Sequence, residues 1–190
     1  MKKISDLGDF GLCGSYMVLD GGKVYNQWVF VAPGEEKSIY NKRHSFSMGG
    51  EDKYFTPGKS RLVFNFRGVR ICPYICYDLR FPVWSRNKND IDLMIYAANW
   101  PAGRKNVWNI LLRARAIENQ CYVAGSNRIG TDGNGINYCG DSMIIDPRGE
   151  TRSSDRRATR PGCSRCADRW SAARESRRRS VARRCRGCPA

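Results

Sequence analysis

Residues 69–75 read VRICPYI, and the chain runs from them straight into Cys76-Tyr77-Asp78-Leu79-Arg80-Phe81-Pro82. The first run is β-branched, apolar and aromatic, the composition of a strand packed on both faces. The second run breaks that pattern with Asp78 and Arg80, and Pro82 cannot extend a ladder. A strand therefore ends at Cys76, and the chain turns there. A thiol on a strand-to-helix turn sits near unbonded backbone N–H groups and the positive end of a helix, which lowers its pKa and favours the nucleophilic thiolate. The N–H groups that follow are placed to hold a developing oxyanion. A lone cysteine is more often a small buried hydrophobe, and that alternative stands beside the reactive one.

Upstream, residues 61–66 (RLVFNF) and 69–75 bracket Arg67-Gly68 and read as a hairpin, with Pro73 asking for an edge position or a bulge. Residues 23–32 (KVYNQWVFVA) form another strand, closed by Pro33-Gly34. Downstream, residues 91–97 (IDLMIYA) are nearly continuous apolar sequence, as in a strand covered on both sides. Residues 105–119 (KNVWNILLRARAIEN) place Val107, Trp108, Leu111, Leu112 and Arg115 at helical spacing. Two more strands, 121–126 and 142–146, lie on either side of the glycine-rich loop 130–135 (GTDGNG). Strands mixed with one long amphipathic helix make the class α/β.

The 190 residues suffice for one domain with an appendage. Their net charge of +15 is unevenly placed: residues 1–150 carry +5 and residues 151–190 carry +10, from 13 Arg against 3 acids. The body is only mildly basic, which argues against nucleic acid as its partner. No apolar stretch approaches the ~20 residues of a membrane span. The opening MKKISDLGDFGLC has no apolar segment behind its lysines, so a cytoplasmic location is expected.

Residues 151–190 hold no Leu, Ile, Phe, Tyr or Met, too little apolar surface to offset the entropy of ordering. The division expected is a body over 1–150 and an unstructured basic tail over 151–190. The tail contains Cys163, Cys166, Cys185 and Cys188 in the spacing of a four-cysteine zinc site. Its spacer, however, has neither strands nor turn residues around the cysteines. The abrupt change to Arg with Ser, Ala, Gly, Pro and Cys reads as out-of-frame translation of a GC-rich message. A zinc- or nucleic-acid-binding module remains the second reading, and a Cys-x-x-Cys redox protein a weaker third.

The five cysteines of the body (Cys13, Cys72, Cys76, Cys121 and Cys139) are odd in number and read as buried free thiols. A cysteine hydrolase usually pairs its thiol with His, and the chain has one, His44. Nearby Lys42 offers another logic, since a fixed ammonium stabilises both thiolate and oxyanion while a carboxylate such as Glu51 moves protons. Each of these charged residues taken alone reads equally well as a solvated loop position.

Taken together, the segments resemble the nitrilase (carbon–nitrogen hydrolase) superfamily, and within it the omega-amidase branch. Ile75-Cys76-Tyr77-Asp78-Leu79-Arg80-Phe81-Pro82-Val83-Trp84-Ser85-Arg86-Asn87 resembles the nucleophile motif of that branch, and Tyr40-Asn41-Lys42-Arg43-His44 followed by Met48-Gly49-Gly50-Glu51 resembles its lysine motif. Ala98-Asn99-Trp100-Pro101, residues 113–120 (RARAIENQ), Ser126-Asn127-Arg128-Ile129-Gly130 and Gly140-Asp141-Ser142 are similar to its downstream blocks. The resemblance implies an α–β–β–α sandwich that pairs into homodimers through outer helices. It implies Cys76 as nucleophile on an amide carbonyl, Lys42 and the Tyr77 N–H on the oxyanion, and Glu51 orienting the lysine and substrate. Tyr77, Arg80, Asn99 and Trp100 fall on the substrate side, His44 becomes structural, and neither metal nor organic cofactor is called for.

The substrate so implied is a small amide, the terminal amide of a 2-oxo dicarboxylic acid such as 2-oxoglutaramate. Arg80 and Arg104 are candidates for its carboxylate, and either reads equally well as a surface ion-pair residue. One departure matters. The general-base glutamate of the family belongs to a block well upstream of the lysine motif, and the acids before Lys42 (Asp6, Asp9, Asp20, Glu35 and Glu36) lack its context. The segment after Pro147-Arg148-Gly149 departs as well. The chain is therefore expected to be the middle of a hydrolase, truncated at both ends and impaired in turnover.

Overall fold

The structure, a computed structural model, describes residues 8–155. Its first sheet is built from β1 (Leu12–Asp20), β2 (Lys23–Val31) and β3 (Ser38–Asn41), antiparallel in that order. Asp20 pairs with Lys23 across Gly21-Gly22. Both glycines have positive φ, 54° and 75°, so the connection is the tight two-residue turn whose twist suits a hairpin. The second sheet has six strands: β4 (Phe64–Phe66), β5 (Val69–Ile75), β6 (Leu93–Ala98), β7 (Tyr122–Asn127), β10 (Ser142–Ile145) and β11 (Thr151–Asp155). Across the sheet they run β11-β10-β7-β6-β5-β4. Strands β5, β6 and β7 are parallel, and the outer strands are antiparallel to their neighbours.

Strand alternation puts Trp28 and Phe30 on one face of β2, continued by Ala32 just past its end, with Tyr40 opposite Trp28, and this face packs on Phe64, Phe66, Ile75, Ile95 and Ala97 of the larger sheet. The other face of the larger sheet, with Cys72, Tyr74, Met94, Tyr96, Val123 and Ile145, is covered by Trp108, Leu112 and Ala116 of α1 (Lys105–Asn119). The helix has the bounds its periodicity predicts, and it ends where Gln120 adopts a left-handed conformation. Helix and sheet approach closely at Gly125 of β7, where a Cβ would lie 2.4 Å from the Leu112 side chain and 2.8 Å from Trp108.

Of the four layers that the resemblance implies, three lie among the described residues, one helix layer and two sheets, in keeping with the α/β sandwich expected of a truncated chain. Several other expectations are corrected. The strand expected over 61–66 is shortened to Phe64–Phe66, because Arg61 turns aside to pair with Asp90 and donate to the Arg86 carbonyl at 2.7 Å. Pro73 keeps the edge position expected of it, two residues past the last pairing of β5 with β4 and paired only on the β6 side. The glycine-rich loop carries a hairpin of its own, β8 (Ile129–Thr131) with β9 (Asn137–Cys139). Thr151–Asp155, expected in the tail, instead adds an edge strand to β10. Main-chain pairing asks for no apolar side chains there, and Arg152 anchors the strand on the buried Asp146 carboxylate at 2.5 Å. Residues 156–190, including the four tail cysteines, lie outside the described residues. Two of the five body thiols, Cys13 and Cys139, are exposed rather than buried.

The approach at Gly125 yields a stability test. Gly125→Ala forces a methyl group into the Leu112 and Trp108 side chains, so urea denaturation should show a loss of about 1–3 kcal/mol. Leu112→Ala should cost about 2–5 kcal/mol by opening a cavity.

Candidate active site

The three parallel strands end at one rim of the sheet, and each contributes a segment to the same cleft, as is general for ligand sites in parallel sheets. After β5 comes a single 3-10 turn, Cys76–Arg80; after β6 come Asn99 and Trp100, leading into a second 3-10 turn, Ala102–Arg104; after β7 comes the β8–β9 hairpin. The cleft has a volume of about 220 Å³ and is lined by Cys76, Tyr77, Arg80, Asn99, Trp100, Arg104, Ile136 and Tyr138, with Phe46 and Gly49 from the segment after β3. Cys76, Tyr77, Arg80, Asn99 and Trp100, all anticipated from the sequence, thus share one cavity.

Cys76 has φ +46°, in the left-handed region that a side chain occupies at a cost of about 1–2 kcal/mol. That conformation swings the thiol out of the strand direction, half-buried, with Sγ 3.9 Å from the Asn99 carbonyl oxygen. The expected lowering of its pKa is not found. Burial pushes the Cys76 thiol up; the Lys42 ammonium opposes this, and the Glu51 and Asp78 carboxylates add to it. The helix expected after the thiol is five residues of 3-10 turn, too short to build a macrodipole.

Lys42 and Glu51 stand beside the cleft rather than in its lining. Lys42 follows β3 on the inward-facing register of Tyr40 and is buried. Its Nζ lies 2.5 and 2.8 Å from the two Glu51 carboxylate oxygens. Glu51 also accepts the Phe46 N–H at 2.6 Å and the Asn26 Nδ2 at 3.0 Å. Burial alone would raise the Glu51 pKa, but the Lys42 charge and these hydrogen bonds outweigh it and hold the carboxyl below its ordinary range. Asn26 is a residue the sequence reading missed; it lies two positions before Trp28, on the same inner face of β2, and only that register could have revealed it. Gly58 secures the lysine backbone: its N–H donates to the Lys42 carbonyl at 2.7 Å, and a Cβ there would strike the Asn41 carbonyl oxygen at 2.1 Å.

Asp78 joins the two halves of the site. Fully buried, its carboxylate accepts the Tyr40 hydroxyl at 2.8 Å, the His44 main-chain N–H at 3.0 Å, the His44 Nδ1–H at 2.8 Å and the Ile75 N–H at 3.0 Å. His44 therefore pairs with Asp78, and its ring stacks on Phe81 at 3.6 Å. From the helix, the buried Arg115 donates to the Leu79 carbonyl at 2.6 Å, a second hold on the turn. Arg80 and Arg104, left open between substrate and ion-pair roles, have no carboxylate partner among the described residues. Each instead lies over an aromatic ring, Arg80 over Trp100 at 5.5 Å and Arg104 over Phe46 at 5.1 Å. No group of three His, Cys, Asp or Glu side chains converges as a metal site among the described residues.

The sequence profile described as "Carbon-nitrogen hydrolase" matches residues 8–156. The chain belongs to the carbon-nitrogen hydrolase family. It is 56% identical over 125 residues to "Omega-amidase YafV" of Escherichia coli (strain K12), covering 66% of this chain and 49% of that protein. To the "2-oxoglutaramate amidase" of Bacillus subtilis (strain 168) it is 38% identical over 142 residues, covering 73% and 54%. The chain spans about half the length of the curated relatives it matches. Among solved structures, XC1258 from Xanthomonas campestris, described as a CN-hydrolase superfamily protein with an arsenic adduct in the active site, superposes with a TM-score of 0.78 at 39% identity, covering 80% of this chain and 61% of that one. Nit3 of Saccharomyces cerevisiae, a member of branch 10 of the nitrilase superfamily, shares the fold, with a TM-score of 0.74 at 24% identity, covering 80% of this chain and 58% of that one. Within this hydrolase fold, no helix among the described residues is long and apolar enough to cross a membrane.

The electrostatics of the thiol set opposite expectations for its two charged neighbours. Iodoacetamide labelling of Cys76, read by peptide mass spectrometry, should rise about tenfold per pH unit through and beyond pH 8. Lys42→Met should slow labelling at pH 8, and Glu51→Gln should speed it. A labelling midpoint below pH 7, or two variants with the same sign, would contradict this account.

Proposed function

We propose that the cleft hydrolyses the terminal amide of a small anionic acid, of which 2-oxoglutaramate is the representative, through a thioester on Cys76. The observation that carries this reading is the Cys76 thiol, turned by a left-handed backbone into a cleft whose rim holds two guanidinium groups without carboxylate partners among the described residues. The names of the related omega-amidase and 2-oxoglutaramate amidase support the substrate class.

In this scheme Cys76 Sγ attacks the amide carbon, a C–S bond forms, and the carbonyl oxygen takes the electron pair as an oxyanion. The Lys42 ammonium and the N–H of Tyr77 stabilise that charge. Collapse breaks the C–N bond, and the leaving nitrogen departs as ammonia with a proton taken up on the way. Water then cleaves the thioester, giving the carboxylic acid and restoring the thiol. Arg80 and Arg104 hold the far carboxylate, where an organised guanidinium is best matched to a planar anion.

The difficult step is loss of the thiol proton. The two carboxylates whose charges act on the thiol are both engaged, Glu51 by Lys42, Asn26 and Phe46, and Asp78 by four donors. Neither has a free lone pair aimed at sulfur, so slow turnover that rises with pH is proposed for these 190 residues.

With 2-oxoglutaramate at pH 9, the full chain should release ammonia and carry the acyl group on Cys76 by intact mass, and Cys76→Ala should do neither. Arg80→Ala should lower kcat/KM about tenfold or more, since a charge-assisted hydrogen bond contributes about 1.5–3 kcal/mol. Ammonia release undiminished in Cys76→Ala, or no acylation of the unaltered chain, would overturn the proposal.

A further inference from the structure

The β8–β9 hairpin is braced from within by one carboxylate. Asp132 accepts the main-chain N–H groups of Asn134 and Ile136, each at 2.9 Å, and the Tyr138 hydroxyl at 2.9 Å. These hydrogen bonds, that of Ile136 foremost, hold the Asp132 carboxyl below its ordinary range. The main chain closes the same loop, with Asp132 N–H on the Ile136 carbonyl and Gly135 N–H on the Asp132 carbonyl, both at 3.0 Å. The Arg128 guanidinium lies over the Tyr138 ring at 4.7 Å.

The root of the hairpin is held as firmly. The Asn127 Nδ2 donates to the Gly140 carbonyl at 2.8 Å and to the Trp100 carbonyl at 3.1 Å, while its Oδ1 accepts the Trp100 N–H at 2.7 Å. One asparagine thus joins the hairpin to the loop that carries Asn99 and Trp100. Across the cleft, Ile136 and Tyr138 line the same cavity as Cys76. Because the hydroxyl of Tyr138 is directed to Asp132, the surface it offers a ligand is its ring. A rigid apolar wall discriminates by size, since each methylene that fails to fit is refused at the transition state.

We propose that Tyr138, held in place by Asp132, is a specificity-determining residue that closes the acyl side of the cleft and restricts it to short-chain amides. The inference rests on Cys76 as the reacting atom, and its test separates the two. Cys76 of the full chain is alkylated with 2-bromobutanamide and 2-bromohexanamide; sulfur displaces bromide at the α-carbon, so the chain of each reagent occupies the acyl side. Rates at Cys76, read by peptide mass spectrometry, are divided by those of free cysteine with the same reagent.

The unaltered chain should prefer the shorter reagent, and Tyr138→Ala should shift the hexanamide-to-butanamide ratio upward about tenfold or more, within the range that methylene discrimination spans. Tyr138→Phe keeps the ring but releases it from Asp132, and Asp132→Asn weakens the same brace; both should give intermediate ratios. Tyr138→Leu serves if the alanine variant does not fold. Ratios equal in all variants would overturn the role of Tyr138 while leaving Cys76 in place. No labelling of Cys76 in the folded chain by either reagent would overturn the reading of Cys76 itself.

Discussion

A buried carboxylate has to be satisfied where it lies, and Asp78 is satisfied from both sheets at once. The Ile75 N–H comes from the end of β5, the Tyr40 hydroxyl from β3, and two donors from His44 just beyond the lysine. Removing any one leaves an ion short of a partner in a dry interior, so the arrangement holds as a unit. Everything chemical about the site follows from that joint. It fixes the turn that displays the thiol relative to the segment that carries the ammonium, although the two belong to different sheets.

The sandwich supplies the second constraint. Inner-face residues of β2 and β3 follow one another at every second position, so the register that buries Trp28 and Tyr40 also directs Asn26 and Lys42 inward. A charged lysine at that depth needs a counter-ion, and Glu51 arrives from the two short 3-10 turns, Ser47–Gly49 and Glu51–Lys53. The aromatic cluster of Trp28, Phe30, Phe64 and Phe66 thereby sets where the lysine stands, although none of the four lines the cleft.

What the sequence revealed, and what it hid, has physical causes. The helix was legible because its apolar face repeats over 15 residues, and β5 and β6 because runs buried on both faces leave little ambiguity. β1 is hard to read from sequence because LCGSYMVLD mixes glycine and polar residues with its apolar ones, as an edge strand does, and only the Gly21-Gly22 turn betrays it. The β8–β9 hairpin was hidden in loop-like composition, since its order comes from one aspartate rather than from apolar burial. Cys76, Tyr77, Arg80, Asn99 and Trp100 were found as cleft residues through motif and strand end together. The thiol shift runs opposite to what the turn alone implies, because burial depends on the second sheet and no local pattern reports it.

The three parallel strands deliver their loops to one rim, and the cleft is made almost wholly of those loops. Lengthening or recolouring the hairpin after β7 leaves the strand pairings, the helix contact and the Asp78 joint untouched. Such a scaffold lets selection exchange one guest molecule for another without renegotiating the architecture, so divergence among relatives should accumulate first in that hairpin rather than in the turn that displays the thiol.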